Sequence, residues 1–204
     1  PTGGQTQKSK WCAICVGAFN PKQEQPRKFY VLKLYHFRAL LEETEEKIAR
    51  GQLGQVDYLI REHTEYGAAK TIIEANGAHQ YVGQSVRLRN FRDSGHVIEP
   101  HYTSAENKFD PAIGVTSISP IVNALLIDFP YGDVLARVNI DDFFAQELQS
   151  HPMSSTTDRL MAIWFFILKA NEGSERRFKV IMRKLPGWAN VHGLKPEKPA
   201  ARVA

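Results

Sequence analysis

The sequence predicts an α+β fold, with short antiparallel strands in residues 10–110 and helices in residues 36–75 and 118–185. Three observations lead there. Trp11–Phe19 and Phe29–Tyr35 are rich in the aromatic and β-branched residues that suit a pleated, half-buried surface. From His36 to Arg50, Phe37, Leu40, Leu41, Thr44 and Ile48 instead recur at helical spacing. The chain has 204 residues, 43% hydrophobic and 24% charged, a composition that suits one sizeable globular domain over residues 10–195.

Each element has its own local signals. Pro1–Ser9 is polar and basic and is expected to be a flexible arm. Asn20–Pro26, with two prolines, is a loop between the first two strands. The helix His36–Arg50 carries four glutamates on its wet face and stops at Gly51 and Gly54. A second helix, Val56–Ala75, buries Leu59, Ile60, Tyr66, Ile72 and Ile73 and ends at Asn76-Gly77. Val82–Phe91 reads as a strand, with Gly95–Thr103 as its hairpin partner across an Asp93-Ser94-Gly95 turn. Pro100 would place that partner at an edge. Helices follow over Ser119–Phe129, Tyr131–Gln149, Thr157–Ala170 and Ser174–Leu185, the first opened by Ser119-Pro120. Residues 196–204 are expected to be a loose tail.

The segment Gln84–Asn90 is the most suggestive for function. As a strand it puts Ser85, Arg87 and Arg89 on one face and Val86 and Leu88 on the other. Arg92 follows, and the first acid downstream is Asp93. Guanidinium forks can pair bidentately with guanine edges or phosphate, so such a strand suits a ribbon lying in a DNA groove. The plain alternative is a solvated edge strand guarded by positive charge.

Charge is segregated. Lys8, Lys10, Lys22, Arg27, Lys28, Lys33 and Arg38 crowd the first 41 residues against Glu24, and the C-terminal stretch is again basic, although the formal net charge is only +4. A local positive field of this kind favours a polyanionic partner. No apolar run nears the roughly 20 residues a bilayer requires, and the N-terminal stretch has no apolar core of the leader-peptide type. A cytoplasmic location without membrane contact is the expectation.

Catalytic signatures are missing from the sequence. It contains no phosphate-cradling glycine motif, no G-x-S-x-G and no H-E-x-x-H. His63 and Glu65 lie too far round their helix to act together. Cys12 and Cys15 form a C-x-x-C, but inside a strand residues three apart point to opposite faces, so neither a redox pair nor a metal site is expected. Met161–Ile167 is the chain's densest apolar run. If exposed, it would make the helical half a docking surface for another protein. No enzyme activity, cofactor, metal or small-molecule substrate is expected.

From Arg27 to Ala75 the order strand, helix, glycine break, helix is that of ribbon–helix–helix DNA binders. There, two protomers pair one strand each into an antiparallel ribbon in the major groove. Two strands compete for that role. Phe29–Tyr35 has the right successor helices but a greasy outer face, with Phe29, Val31, Lys33 and Tyr35. The arginine strand has the better face but is followed by a loop, not a helix. Arg27, Lys28, Lys8 and Lys10 would clamp phosphates.

Further short motifs carry a family resemblance. Leu125-Leu126-Ile127-Asp128-Phe129 follows the N-terminal strand region and the helix His36–Arg50. Next come Val134-Leu135-x-Arg137-Val138 and Arg176-Arg177-Phe178, with Leu185, Trp188 and Gly193. In these features the chain resembles the AcaB-like proteins of conjugative plasmids and integrating conjugative elements. The resemblance implies a homodimeric transcriptional regulator with a ribbon–helix–helix type element that activates conjugative-transfer genes. The rival expectation is a non-catalytic interaction module of a conjugation or secretion apparatus.

Overall fold

The computed structural model describes residues 10–24, 26–76, 82–104, 106, 108, 110, 114–132, 134–154 and 156–182. These form a mixed α+β structure in two compact units, one ending at Leu168 and the other beginning at Lys169.

The first unit opens with a long hairpin. β1 (Lys10–Phe19) pairs antiparallel with β2 (Phe29–Ala39), from Lys10 opposite Ala39 to Phe19 opposite Phe29. The register slips between Val16 and Gly17. Gly17 is required there, since a Cβ would lie 2.6 Å from the Phe166 ring. Cys12 and Ile14 of β1, and Phe29, Val31 and Leu34 of β2, are buried. β2 therefore runs four residues beyond the expected strand end, through residues 36–39, where the sequence predicts the start of a helix. Cross-strand pairing with residues 10–13 satisfies their backbone groups, and this outweighs the helical spacing of their side chains.

The expected helix shrinks to α1 (Glu45–Ala49), capped by the Thr44 side chain, which accepts from the Lys47 amide. α2 (Gln55–Glu65) starts at Gly54, whose amide donates to Asp57 Oδ2 at 2.9 Å. It ends early, because Gly67 takes φ +55°, a left-handed conformation that closes a helix. Residues 71–74, expected to be helical, instead form β3 (Thr71–Glu74), which pairs in parallel with β4 (Ile98–His101).

Parallel strands need a crossover, and α3 (Val86–Asp93) lies in it. The expected arginine strand is this helix. Ser85 caps it, accepting from the Leu88 amide at 3.0 Å, and Gly95 closes it at φ +103°. The Asp93-Ser94-Gly95 sequence is thus a helix C-terminus, not a hairpin turn. Alternation over five residues cannot separate strand from helix when the ends carry cap signals. Val56, Ile73, Val82 and Leu88 form a small core joining α2, β3 and α3.

The rest is mainly helical. A 3₁₀ turn (Val115–Ser117) leads into α4 (Ile118–Asn123). β5 (Ile127–Asp128) joins the first sheet beside Phe29–Tyr30, in parallel, giving the order β1-β2-β5. α5 (Val134–Asp142) passes into a π-helical stretch, Phe143–Leu148, and α6 runs over Asp158–Met182 where two helices were expected. Glu147 is wholly buried. Its Oε1 accepts from Arg159 Nε at 2.8 Å and its Oε2 from the Leu160 amide at 2.9 Å, so one carboxylate caps the start of α6 and neutralises a buried arginine. Ile163, Trp164, Phe165 and Ile167 are buried, so the apolar run 161–167 is core and does not supply the docking surface it would have made if exposed.

Candidate nucleic-acid interface

α3 is held from its inner side by three sets of contacts. Ser85 is buried, and its hydroxyl donates to Glu42 while capping the helix. Leu88 enters the core. Phe91 stacks on His96, with ring centroids 3.9 Å apart and planes 7° from parallel, and His63 meets both rings edge-on. His63 Nε2 lies 3.2 Å from His96 Nδ1, and its Nδ1 lies 2.8 Å from the Thr71 hydroxyl. Burial, with His96 adding to it, pushes the His63 imidazole below its ordinary value and keeps it neutral.

Arg87 belongs to the same anchor. Its Nη1 donates to Asp57 Oδ1 at 2.5 Å, and its Nη2 donates to Glu45 at 2.7 Å and to the Glu43 carbonyl at 3.3 Å. Burial alone would lower its pKa, but the Asp57 and Glu45 carboxylates hold it above the ordinary arginine value. The sequence around Arg87 offers no neutralising acid nearby. The fold brings one from α2 and one from α1, so Ser85 and Arg87 do not form the outward face expected of them.

The outer side of α3 is different. Arg89, Asn90 and Arg92 are exposed. Arg92 makes only a loose surface pair with its neighbour Asp93, at 3.5 Å. Arg89 has no carboxylate partner among the described residues. Residues 89 and 92 are three apart, about one helical turn, and so share a face, whereas Asn90 is exposed further round the helix. Arginine and asparagine are the side chains that bond bidentately to guanine and adenine edges. Asn90 does not stand out in the sequence, because a strand would turn it away from Arg89.

The other basic residues of the expected interface have contacts inside the chain. Lys33 lies 3.1 Å from Glu65 and 3.6 Å from the buried Glu62, and sits over the Tyr66 ring. Lys28 pairs with Asp128 at 3.2 Å. Arg27 is buried, with its guanidinium over the Phe19 ring. Lys33 and Lys28 thus each have a carboxylate partner inside the chain, and Arg27 lies in the interior. Lys8 and the Lys10 side chain lie outside the described residues, as do the arm 1–9, the tail 196–204, and Leu185, Trp188 and Gly193 of the family motif.

Cys12 and Cys15 are both free thiols. Burial pushes each up to about 12, with Asp158 adding to the effect at Cys12. That is opposite to the lowered value a redox cysteine needs. Among the described residues no cluster of three or more His, Cys, Asp or Glu could hold a metal ion, and no helix is long and apolar enough to cross a membrane. No protein-family model matches this chain, and neither a curated protein nor a solved structure matches it.

Proposed function

We propose that the protein binds double-stranded DNA through the outer face of α3 and acts as a non-catalytic, sequence-specific transcriptional regulator in the cytoplasm. The observation that carries this is the contrast across one short helix. Its inner arginine is consumed by Asp57 and Glu45, while Arg89 and Arg92 are exposed together on the outside and Asn90 is exposed further round. A helix fixed from behind and armed with base-reading side chains in front is the geometry of a recognition helix.

The ribbon of a ribbon–helix–helix element has no part in this proposal. The order strand, helix, helix persists over β2, α1 and α2, but β2 already has β1 as its antiparallel partner inside the chain. Base contact is therefore assigned to α3, not to a strand. A homodimer would present two copies of α3 to two half-sites. The likeness to AcaB-like regulators is what brings activation of conjugative-transfer genes into the proposal.

Fluorescence anisotropy with promoter duplexes over a salt series is the test. Affinity that falls with salt, and discrimination that collapses in Arg89→Ala and Asn90→Ala, would support the proposal. Equal affinity for all duplexes, or unchanged discrimination in both variants, would overturn it.

A further inference from the structure

The first unit contains a pocket of about 280 Å³ that none of the foregoing uses. Its walls come from β1, the inner side of α2, β3 and the first turns of α6. Close-packed interiors leave few spaces larger than a water molecule, and ligand pockets start near this size. Most of the wall is apolar: Ile14, Cys15, Val16, Met161, Phe165 and Phe166.

Most of the charged groups on the wall have partners already. Glu62 Oε1 accepts from Arg61 and Tyr35, while its buried Oε2 has Lys33 3.6 Å away as counter-ion and no hydrogen-bond donor among the described residues. Lys108 pairs with Glu74 at 3.4 Å, Lys70 with Glu99 at 3.2 Å, and Asp158 with His36 at 3.1 Å. Both nitrogens of His63 are engaged, by Thr71 and His96. A charged guest would have to break one of these pairs or enter without a counter-ion, and both are costly in an apolar surrounding. Shape and apolar contact are what the pocket offers.

We infer that this pocket binds an uncharged, predominantly apolar small molecule of one or two rings, gripped between Cys15 on β1 and Met161 and Phe165 on α6. His63 lies on the wall and also touches Phe91 of α3. An occupant would therefore sit one residue away from the anchor of the helix.

Benzophenone, an uncharged two-ring compound that photo-attaches to C–H bonds and favours methionine, tests this on the unmodified chain. The sequence supplies an internal control: Met161 lines the pocket, whereas Met153 is 90% exposed. Irradiation followed by peptide mapping should give saturable adducts on Met161 and its neighbours at least tenfold above those on Met153. Excess benzhydrol, an uncharged two-ring compound without the photoreactive ketone, should suppress them, and benzophenone-4-carboxylate should label them at least tenfold less. Adducts confined to Met153 or scattered over the surface would overturn the site. Equal labelling by the carboxylate would overturn the uncharged class. Neither readout depends on DNA, so its failure is distinguishable from failure of the DNA-binding proposal.

Discussion

Arg87 Nη1 and Asp57 Oδ1 stand 2.5 Å apart, joining α3 to the first turn of α2 through a carboxylate that is almost wholly buried. The other oxygen of Asp57 receives the Gly54 amide at 2.9 Å, so one side chain both caps α2 and fixes α3. Gly54 suits this corner because a Cβ there would lie 2.8 Å from the Glu42 backbone.

Removing either partner should therefore cost stability. Breaking a buried pair costs about 3–5 kcal/mol, and Arg87 keeps some solvent exposure, so Arg87→Ala should cost about 2–3 kcal/mol. Asp57→Ala should cost at least as much, because the cap goes with it. The double variant should be destabilised by less than the sum of the two, since both act through one interaction. Urea unfolding of the four proteins measures this, and strict additivity would refute the coupling.

On the outer face the expectation is reversed. Arg89→Ala should leave the unfolding free energy unchanged within about 0.5 kcal/mol, because its side chain is exposed and has no carboxylate partner among the described residues. The same change should weaken preferred-site binding by about 1–3 kcal/mol. Arg92→Ala should reduce the slope of log affinity against log salt by about 0.9 for each phosphate that Arg92 neutralises. Parallel denaturation and anisotropy titrations separate a structural arginine from one that touches DNA.

The Glu147–Arg159 pair is deeper still, with both side chains nearly inaccessible. Glu147→Ala leaves the buried Arg159 with only the more distant Asp142, at 3.7 Å, and removes the acceptor for the Leu160 amide, and should cost about 3 kcal/mol. Glu147→Gln, which keeps an oxygen for that amide, should cost less. A fall in denaturant midpoint at constant slope would mark the effect as one of stability.

The two thiols predict an alkaline limit. Their ordinary value is 9.0 and burial pushes both up to about 12, so the folded chain favours the neutral thiol. That contribution is complete below pH 9 and is lost as pH rises from 9 toward 12. Stability should fall over pH 9–10.5 more steeply than in a Cys12→Ser, Cys15→Ser protein. At pH 8 the folded thiols should react with iodoacetamide about a thousandfold more slowly than unfolded ones, in proportion to thiolate fraction. Rapid alkylation of the native chain would contradict their burial.

Much of the first hairpin is legible from residues alone. Aromatic and β-branched density marks β1 and β2, and the prolines of residues 20–26 mark the loop between them. The π-helical stretch, the merged last helix and β5 leave no local signal, because each depends on what packs against it. For α3 the signal is present but ambiguous. Ser85 and Gly95 bracket a helix, while Ser85, Val86, Arg87 and Leu88 also alternate as a strand would. The candidate site suffers most from this, since a strand pairs Arg89 with Ser85 and Arg87, and a helix pairs it with Arg92.

By itself the sequence determined composition, segregated charge, a mixed α+β class and the presence of arginines between residues 84 and 92. Those properties are local or summed along the chain, so no tertiary packing is needed to read them. Which arginine is spent on the fold and which is left for a partner was decided only by tertiary structure. Asp57 and Glu45 lie 30 and 42 residues from Arg87 in sequence, and only the packing of α1 and α2 against α3 brings their carboxylates to it.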